Sequence, residues 1–469
     1  MARSVNAADA RMVNLFPEIV PEAGKEPAFL NRAPGLLLLN TIGTGPIRGL
    51  WAFSSSDDHA FVVSGTQLYR ITTAYVPTLI GTVAGTGPVS MADNGTQLFI
   101  AADGPSYIYN NTTNAFGQIT DPDFPGAVTV AYLDGYFVFN EPNSQKMWIT
   151  ALLDGTSIDP LEFASTEGSP DGLVAVIANF REVWAFGTNS IEVWSDTGAT
   201  DFPLQRIPGA FNELGCAAPY SIAKMDNGLF WLGRDRRGQG IVYRANGYAG
   251  QRISTHAVEW QIQQYSDLSD AVAYTYQQDG HSFYVLIFPT ANTTWVYDVA
   301  TQAWHERAGW DNGMFTRHRS NCQMSFGNNV IVGDYQNGNI YAFDLEDYSD
   351  NGGIQKWLRS WRALPTGQNN LKRTAQHSLQ LDIESGTGLN LGQGSDPEVM
   401  LRWSDDGGHT WSNEHWAQIG KIGEYYRRVF WRRLGMTVKL RDRVYELSGT
   451  DPVKISIMGA ELILSPTNA

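Results

Sequence analysis

A chain of 469 residues with 43% hydrophobic and only 17% charged residues is long enough for two or three domains with proper cores, which excludes a disordered chain. A formal net charge of −15 argues, on the totals, against a protein that grips DNA, because such affinity comes largely from counterion release by Lys and Arg; a wall past which DNA slides without sticking is compatible with it. The 47 Gly, 21 Pro and 12% aromatic residues suit many short strands joined by tight turns, Gly supplying positive φ and flat rings covering pleated surfaces, so all-β is the expected class.

Residues 1–44, opening MARSVNAADARMVNLFPE, read as an N-terminal arm and lead-in strand. They hold no apolar stretch able to act as a secretory signal, and no run of about 18 apolar residues occurs, so synthesis as a soluble cytosolic protein without membrane contact is expected. From Gly45 to Glu346 one order recurs: apolar strand, polar or Gly turn, apolar strand, Gly/Asn turn, aromatic-rich strand. Copies begin at Gly45, Gly87, Ala127, Asp171, Pro219, Ala271 and Cys322, the spacing of four-stranded propeller blades. Alternation inside a copy is clear: Ile191 and Val193 face one way, Glu192 and Trp194 the other. Such hairpins cannot bury their faces alone but can when stacked radially, which predicts a β-propeller of six or seven blades over residues 45–346. Cys216 and Cys322 are too few to staple a scaffold of this size and are read as buried small hydrophobes.

After Glu346 the texture changes. Residues 347–373 read as a connector with one short amphipathic turn of helix at most, and residues 374–469 as roughly six alternating strands, enough for a C-terminal β-sandwich. Within it, WSDDGGHTWS places Ser404, Asp406, Gly408, Thr410 and Trp411 at the S-x-D-x-G-x-T-W spacing of the Asp box found in sialidases and other propeller proteins. In that motif the carboxylate binds backbone N–H groups of its own turn, the Gly takes a conformation closed to side chains with a Cβ, and the Trp packs the hairpin down. It is a folding device: a sialidase does its chemistry elsewhere, with an arginine triad and a Tyr/Glu pair. Here one copy lies outside the propeller, and no Arg triad can be assigned, although Arg48, Arg181, Arg234 and Arg317 are available.

The strongest charge feature is RRVFWRRLGMTVKLRDR, Arg427 to Arg443. On an extended strand Arg428, Phe430 and Arg432 share one side while Val429, Trp431 and Arg433 share the other. Arg427, Arg428, Trp431, Arg432 and Arg433 are therefore the candidate interface set, arginine beside aromatic being an interface composition; a solvated edge strand and a nucleic-acid contact are the alternatives. Other chemistry is weaker. Asp121/Asp123 and Asp57/Asp58 read as surface turns. His256, His318 and His377 have no metal-ligand spacing and read as polar surface or interface residues, and GRDRRGQG, Gly233 to Gly240, reads as a hairpin tip. No catalytic, metal-binding or cofactor-binding residue is assigned.

Several of these blocks together carry a family resemblance. NLFPE at Asn14 to Glu18, PGLL at Pro34 to Leu37, Ser169 to Thr200 (SPDGLVAVIANFREVWAFGTNSIEVWSDTGAT), RRVFWRRLG and VKISIMGAELIL resemble, in that order along the chain, the packaged-DNA stabilisation proteins of short-tailed phages, also called tail hub or nozzle proteins. Some relatives have a degenerate turn where this chain has the full Asp box. The resemblance implies a propeller with a β-sandwich and no catalytic residues to carry over. It also implies a six-fold ring in the virion tail below the portal and adaptor ring, extending the channel for double-stranded DNA, retaining the genome and anchoring fibres, spikes or a needle. A carbohydrate- or receptor-binding propeller and a sialidase-like hydrolase are the alternatives from other classes.

Overall fold

The computed structural model describes residues 10–20, 26–166, 168–199, 202–363, 373–437 and 443–467. The described residues are mostly strand and turn, with one short α-helix at His256–Ile262 and a 3-10 turn at Pro219–Ser221. Seven antiparallel sheets are arranged radially, their innermost strands being Ile47–Ala52, Ser90–Asp93, Val130–Leu133, Leu173–Asn179, Ala223–Met225, Val272–Gln278 and Ser320–Phe326. These follow one another around the axis, and the last packs against the first, so the propeller has seven blades. Each blade corresponds to one of the seven sequence copies.

Burial on both faces explains why the middle strands read as apolar runs. In His59–Ser64, Phe61 and Val63 fill the core shared with the second blade, while Ala60 and Val62 fill the core shared with the seventh. The outermost strands face solvent; Pro77–Thr82 and Ala115–Gln118 hold few buried side chains.

The seventh blade is completed from the other end of the chain. Ser320–Phe326, Asn329–Asp334 and Asn339–Asp344 are joined by Gly35–Thr41, with Leu36 opposite Phe343 and Leu38 opposite Tyr341. Gly35 is required here because a Cβ would lie 2.4 Å from the Asp347 carbonyl oxygen and 2.6 Å from that of Ser349.

The sandwich also draws on both ends. One sheet runs Trp357–Ala363, Arg443–Gly449, Glu398–Ser404 and His415–Gln418; the other runs Leu15–Ile19, Ala28–Arg32, Ser456–Pro466, Thr374–Ile383 and Val429–Met436. Arg11–Val13 pairs antiparallel with Trp357–Ala363 on one side and makes a parallel bridge, Val13 to Glu306, with the outer strand of blade six on the other, so a propeller blade and a sandwich sheet are continuous. Among the described residues of the connector read over 347–373, Trp357–Ala363 is a strand that pairs into the sandwich. Trp357 and Leu358 are both buried, Trp357 in the sandwich core and Leu358 beside Val13 and Ala308, and this two-sided burial hides the alternation expected of a strand.

Four consecutive arm residues hold the seam. Val13 packs with Ala308 and Leu358, Leu15 enters the sandwich core, and Phe16 enters the propeller core, edge-on to His281 at 5.0 Å and to Phe283 at 5.5 Å. Asn14, buried at φ 53, donates from Nδ2 to the carbonyls of Ala308 (2.8 Å) and Lys356 (2.7 Å) and accepts the Ala308 N–H at Oδ1 (2.9 Å). Arg32, buried in the same seam, donates to the carbonyls of Tyr348, Gln355, Asp451 and Val453. Burial pulls its pKa down to about 10 and pushes that of nearby Asp350 up to about 7.

The Asn14 network carries a direct prediction. Asn14→Ala removes the partner of the Ala308 N–H and of the Ala308 and Lys356 carbonyls, at about 1–3 kcal/mol for each buried group left unpaired, so N14A should lose at least about 3 kcal/mol in guanidinium unfolding. Asn14→Gly, which tolerates the left-handed backbone, should lose most of the same amount; wild-type stability in N14G would mean the hydrogen bonds contribute nothing.

Candidate functional site

The Asp-box residues form the turn between Glu398–Ser404 and His415–Gln418. Asp406 Oδ1 accepts the Thr410 N–H at 2.9 Å and the Ser404 hydroxyl at 2.6 Å, and its Oδ2 accepts the Thr410 hydroxyl at 2.6 Å. Ser404 Oγ accepts the Gly408 N–H at 2.8 Å, and Gly408, at φ 96, offers its carbonyl to Trp411 Nε1 at 3.1 Å. The guanidinium of Arg402 lies 4.7 Å from the Trp411 ring centroid. These hydrogen bonds hold the Asp406 carboxyl well below the usual carboxylate range.

Adjacent Asp405 extends the turn inward. It takes a bidentate pair from buried Arg443, at 2.7 and 2.8 Å, whose other donors reach the carbonyls of Leu434 (2.6 Å) and Met436 (3.3 Å). Those carbonyls belong to Val429–Met436, the edge strand of the opposite sheet, so the box hairpin clamps the strand that carries the arginines. Arg443 was part of the basic run in sequence, but nothing in that run marked it as the buried member.

On the edge strand Val429–Met436 and the two residues before it, the candidate set divides. Arg427, Arg428, Arg432 and Arg433 are exposed, with Arg427 donating to Gln418 Oε1 (2.5 Å), Arg428 to Gln380 Oε1 (2.6 Å), and Arg432 lying 4.5 Å from the Phe430 ring centroid. Trp431 does not belong with them. It is buried in the sandwich core with Val429 and Leu434, and its Nε1 donates to the His415 carbonyl at 2.9 Å. Arg433 does not share its side as strict alternation predicts, because it adopts φ 60 at a bulge, where the register slips between Gln376 and Ser378; Leu434 takes the inward place.

Sequence reasoning missed the aromatics beside this edge. Trp416, Tyr425 and Tyr426 are exposed around it, and a surface groove is lined by Trp416, Gln418, Arg427, Arg428, Phe430 and Glu398. Their signal was available in EYYRRVFWRR, where two tyrosines precede the arginines in a loop that buries neither.

Other singled-out residues serve local structure. Arg48 is buried and donates to the carbonyls of Gly65, Val83, Ala84 and Gly87; Arg181 pairs with Asp134 at 2.9 Å; Arg317 stacks 3.5 Å from the Tyr335 ring centroid. Arg234 is exposed in the fifth blade, where Asp235 accepts the N–H groups of Arg237 and Gly238 across the hairpin tip. Asp121 accepts the N–H groups of Asp123 and Ile158 in a turn, while Asp57 and Asp58 are exposed on a loop. His256 and His377 are exposed, but His318 is not a surface group: it is buried against Ser320, at 2.7 Å, and burial drives its pKa down to about 3. Cys216 is buried and Cys322 is half-buried at the wall of the axial cavity. Among the described residues, no group of three His, Cys, Asp or Glu is placed to hold a metal ion, and no helix is long and apolar enough to cross a membrane.

The propeller axis holds a cavity of about 520 Å³ lined by all seven innermost strands, among them Trp51, Met91, Tyr132 and Lys224. Together these features define an all-β propeller–sandwich protein whose most distinctive outward feature is an arginine and aromatic edge. The chain belongs to the family of bacteriophage P22 Gp10: its β-propeller model matches residues 3–348 and its β-sandwich model residues 357–464. A curated relative, the tail hub protein gp10 of Salmonella phage P22, is 23% identical over 445 residues, covering 91% of this chain and 90% of that protein. Two solved propellers are more remote. The Neurospora crassa Pan2 WD40 domain (9% identity, 64% of this chain and 89% of that chain) has a TM-score of 0.41. Virginiamycin B lyase from Staphylococcus aureus (12% identity, 66% and 98%) has a TM-score of 0.43. Neither bears on function.

The Asp406 network predicts a pH signature. Its folded pKa lies below the unfolded value, so its stabilisation is present above the unfolded carboxylate range and lost as pH falls through the folded pKa. Asp406→Ala should therefore lower the melting temperature at pH 7, and the gap from the unaltered protein should narrow as pH is taken below about 4; a gap independent of pH would contradict the role of the charge.

Proposed function

We propose that this chain is a tail hub protein of a short-tailed phage, working by shape and association and without turnover of a substrate. The observation that carries the reading is the ordered match of propeller and sandwich to one phage family across nearly the whole chain, together with 90% coverage of a named tail hub protein. In this reading six copies form a ring in the virion tail beneath the portal and adaptor. The propeller of residues 45–346 and the sandwich of residues 374–469, completed by the arm of residues 1–44, are its building units. Residues 347–373 join the two and lend the sandwich a strand. The ring continues the path of double-stranded DNA, helps retain the genome and offers attachment for fibres, spikes or a needle.

The dimensions favour a duct formed between copies and not within one. A B-form duplex has a major groove about 12 Å wide and 8.5 Å deep, and the axial cavity of about 520 Å³ has no room for it. The lumen therefore belongs to the space enclosed by the ring, whose wall is built from a chain of net charge −15 that repels the phosphate backbone. A heterologous contact that closes on itself gives such a ring, and an interface of about 1,200–2,000 Å² is sufficient for each junction.

Electron microscopy of the full chain, alone and mixed with its adaptor, should display a six-fold ring with a central opening wider than the propeller axis. The same preparation should leave a fluorogenic sialoside intact. A particle that stays a single subunit with adaptor present and binds glycans would replace this reading with that of a receptor-binding propeller; efficient sialoside hydrolysis would replace it with a glycosidase.

A further inference from the structure

Two surfaces of this molecule are complementary, and they lie in different halves of it. The first is the sandwich edge. Arg427 and Arg428 are held by neutral amides, Gln418 and Gln380, and Arg432 by the face of Phe430, so their charges stay available at the surface. Beside them Tyr426 is 88% and Tyr425 75% exposed, and Trp416 projects into the same groove, with Glu398 as its carboxylate. Arginine with Tyr and Trp is the composition of energetic centres in protein interfaces, whereas a solvated edge strand would carry lysines and no exposed aromatics.

The second surface is one end of the propeller. In an antiparallel blade, the turn between the first and second strands and that between the third and fourth point to the same end of the ring. In the third blade these are Asp134–Gly135 and residues 150–162, which touch where the Leu153 N–H donates to the Gly135 carbonyl at 2.8 Å. The long loop exposes Leu152, Leu153, Asp159 and Leu161, the last by 83%, and the neighbouring turn of blade four exposes Phe180. Charges here are mainly acidic. Arg181 and Arg244 are already paired with Asp134 (2.9 Å) and Asp226 (2.6 Å), and Lys224 lies 5.9 Å from the Phe180 ring centroid.

Resting on the ring reading above, we propose that the occupant of the arginine edge is a second copy of this chain, which presents the acidic, leucine-bearing end of its propeller at blades three and four. Charge complementarity favours this partner: a protein of net charge −15 places four exposed arginines on the sandwich edge, and sets Leu152, Leu153 and Leu161 among carboxylates at the propeller end. The two patches differ, so the contact is heterologous and repeats head to tail, the arrangement that generates rings. Nucleic acid is the poorer match, since Glu398 shares the groove and the flanking tyrosines would need an apolar partner as much as an anionic one.

The test uses the full chain with a photo-crosslinking amino acid in place of Tyr426, imaged and crosslinked in the same preparation, with adaptor and without. The expected product joins position 426 to residues 150–162, or to Phe180, of another copy. Rings in which position 426 crosslinks elsewhere, or to DNA, overturn this pairing and leave the ring reading intact; absence of any ring in both preparations overturns both. In parallel, R427E/R428E/R432E and D134K/D159K should each weaken self-association at least about tenfold, and a chain carrying both reversals should recover it. Self-association unchanged by either reversal, with melting temperatures confirming that the variants fold, also overturns the pairing.

Discussion

Along an extended strand adjacent side chains must point in opposite directions, and in Leu15–Ile19 this geometry is used to join two hydrophobic cores. Leu15 fills the sandwich and Phe16 fills the propeller, so neither can be placed unless both domains are correctly positioned. Asn14 fixes the same point in polar terms, its amide bonded to Ala308 of the propeller side and to Lys356 at the start of the sandwich. Arg32, on the next strand of the arm, repeats the device, bonding carbonyls of the linking segment and of the sandwich. These groups are buried, so each would be costly if unpaired. The seam is therefore specified as tightly as either core, and the surfaces on propeller and sandwich keep a fixed relation.

Much of the fold was legible because each blade is a short local unit. Turn chemistry and apolar runs recur at every start from Gly45 to Cys322, and the resulting sheets are the seven blades. The fourth strands were not legible: Ala115–Gln118 and Ala249–Arg252 face solvent, and an exposed strand carries no apolar pattern. Nor was the role of the arm, since Arg11–Val13 and Ala28–Arg32 find partners more than 300 residues away and sequence periodicity contains no information about such pairings. Trp357–Ala363 was hidden for the opposite reason, its leading residues buried on both faces and showing no alternation.

At the candidate site Arg427, Arg428, Arg432 and Arg433 lie outward; Trp431 lies inward with Val429, as a regular strand requires, and only Arg433 departs from the alternation. One bulge accounts for this: after Arg433 the register shifts, and the inward position passes to Leu434. The Asp box gains its significance from the same strand. Its turn presents Asp405 to Arg443, and Arg443 grips the strand's backbone at Leu434 and Met436. A motif concerned with the shape of one hairpin thus also fixes the attitude of the surface across the sandwich. Relatives with a degenerate turn would need another means of holding that edge.

The closing strand of blade seven, Gly35–Thr41, is followed back along the chain by only Ala33 and Pro34 before Ala28–Arg32 of the sandwich begins. Tension applied to the sandwich would travel through this short covalent tether to the strand that closes the circle of blades, held there by its hydrogen bonds to Asn339–Asp344 and by Leu36 in the core. A tail component built in this way could register a tug from whatever hangs on it as a loosening of its own clasp.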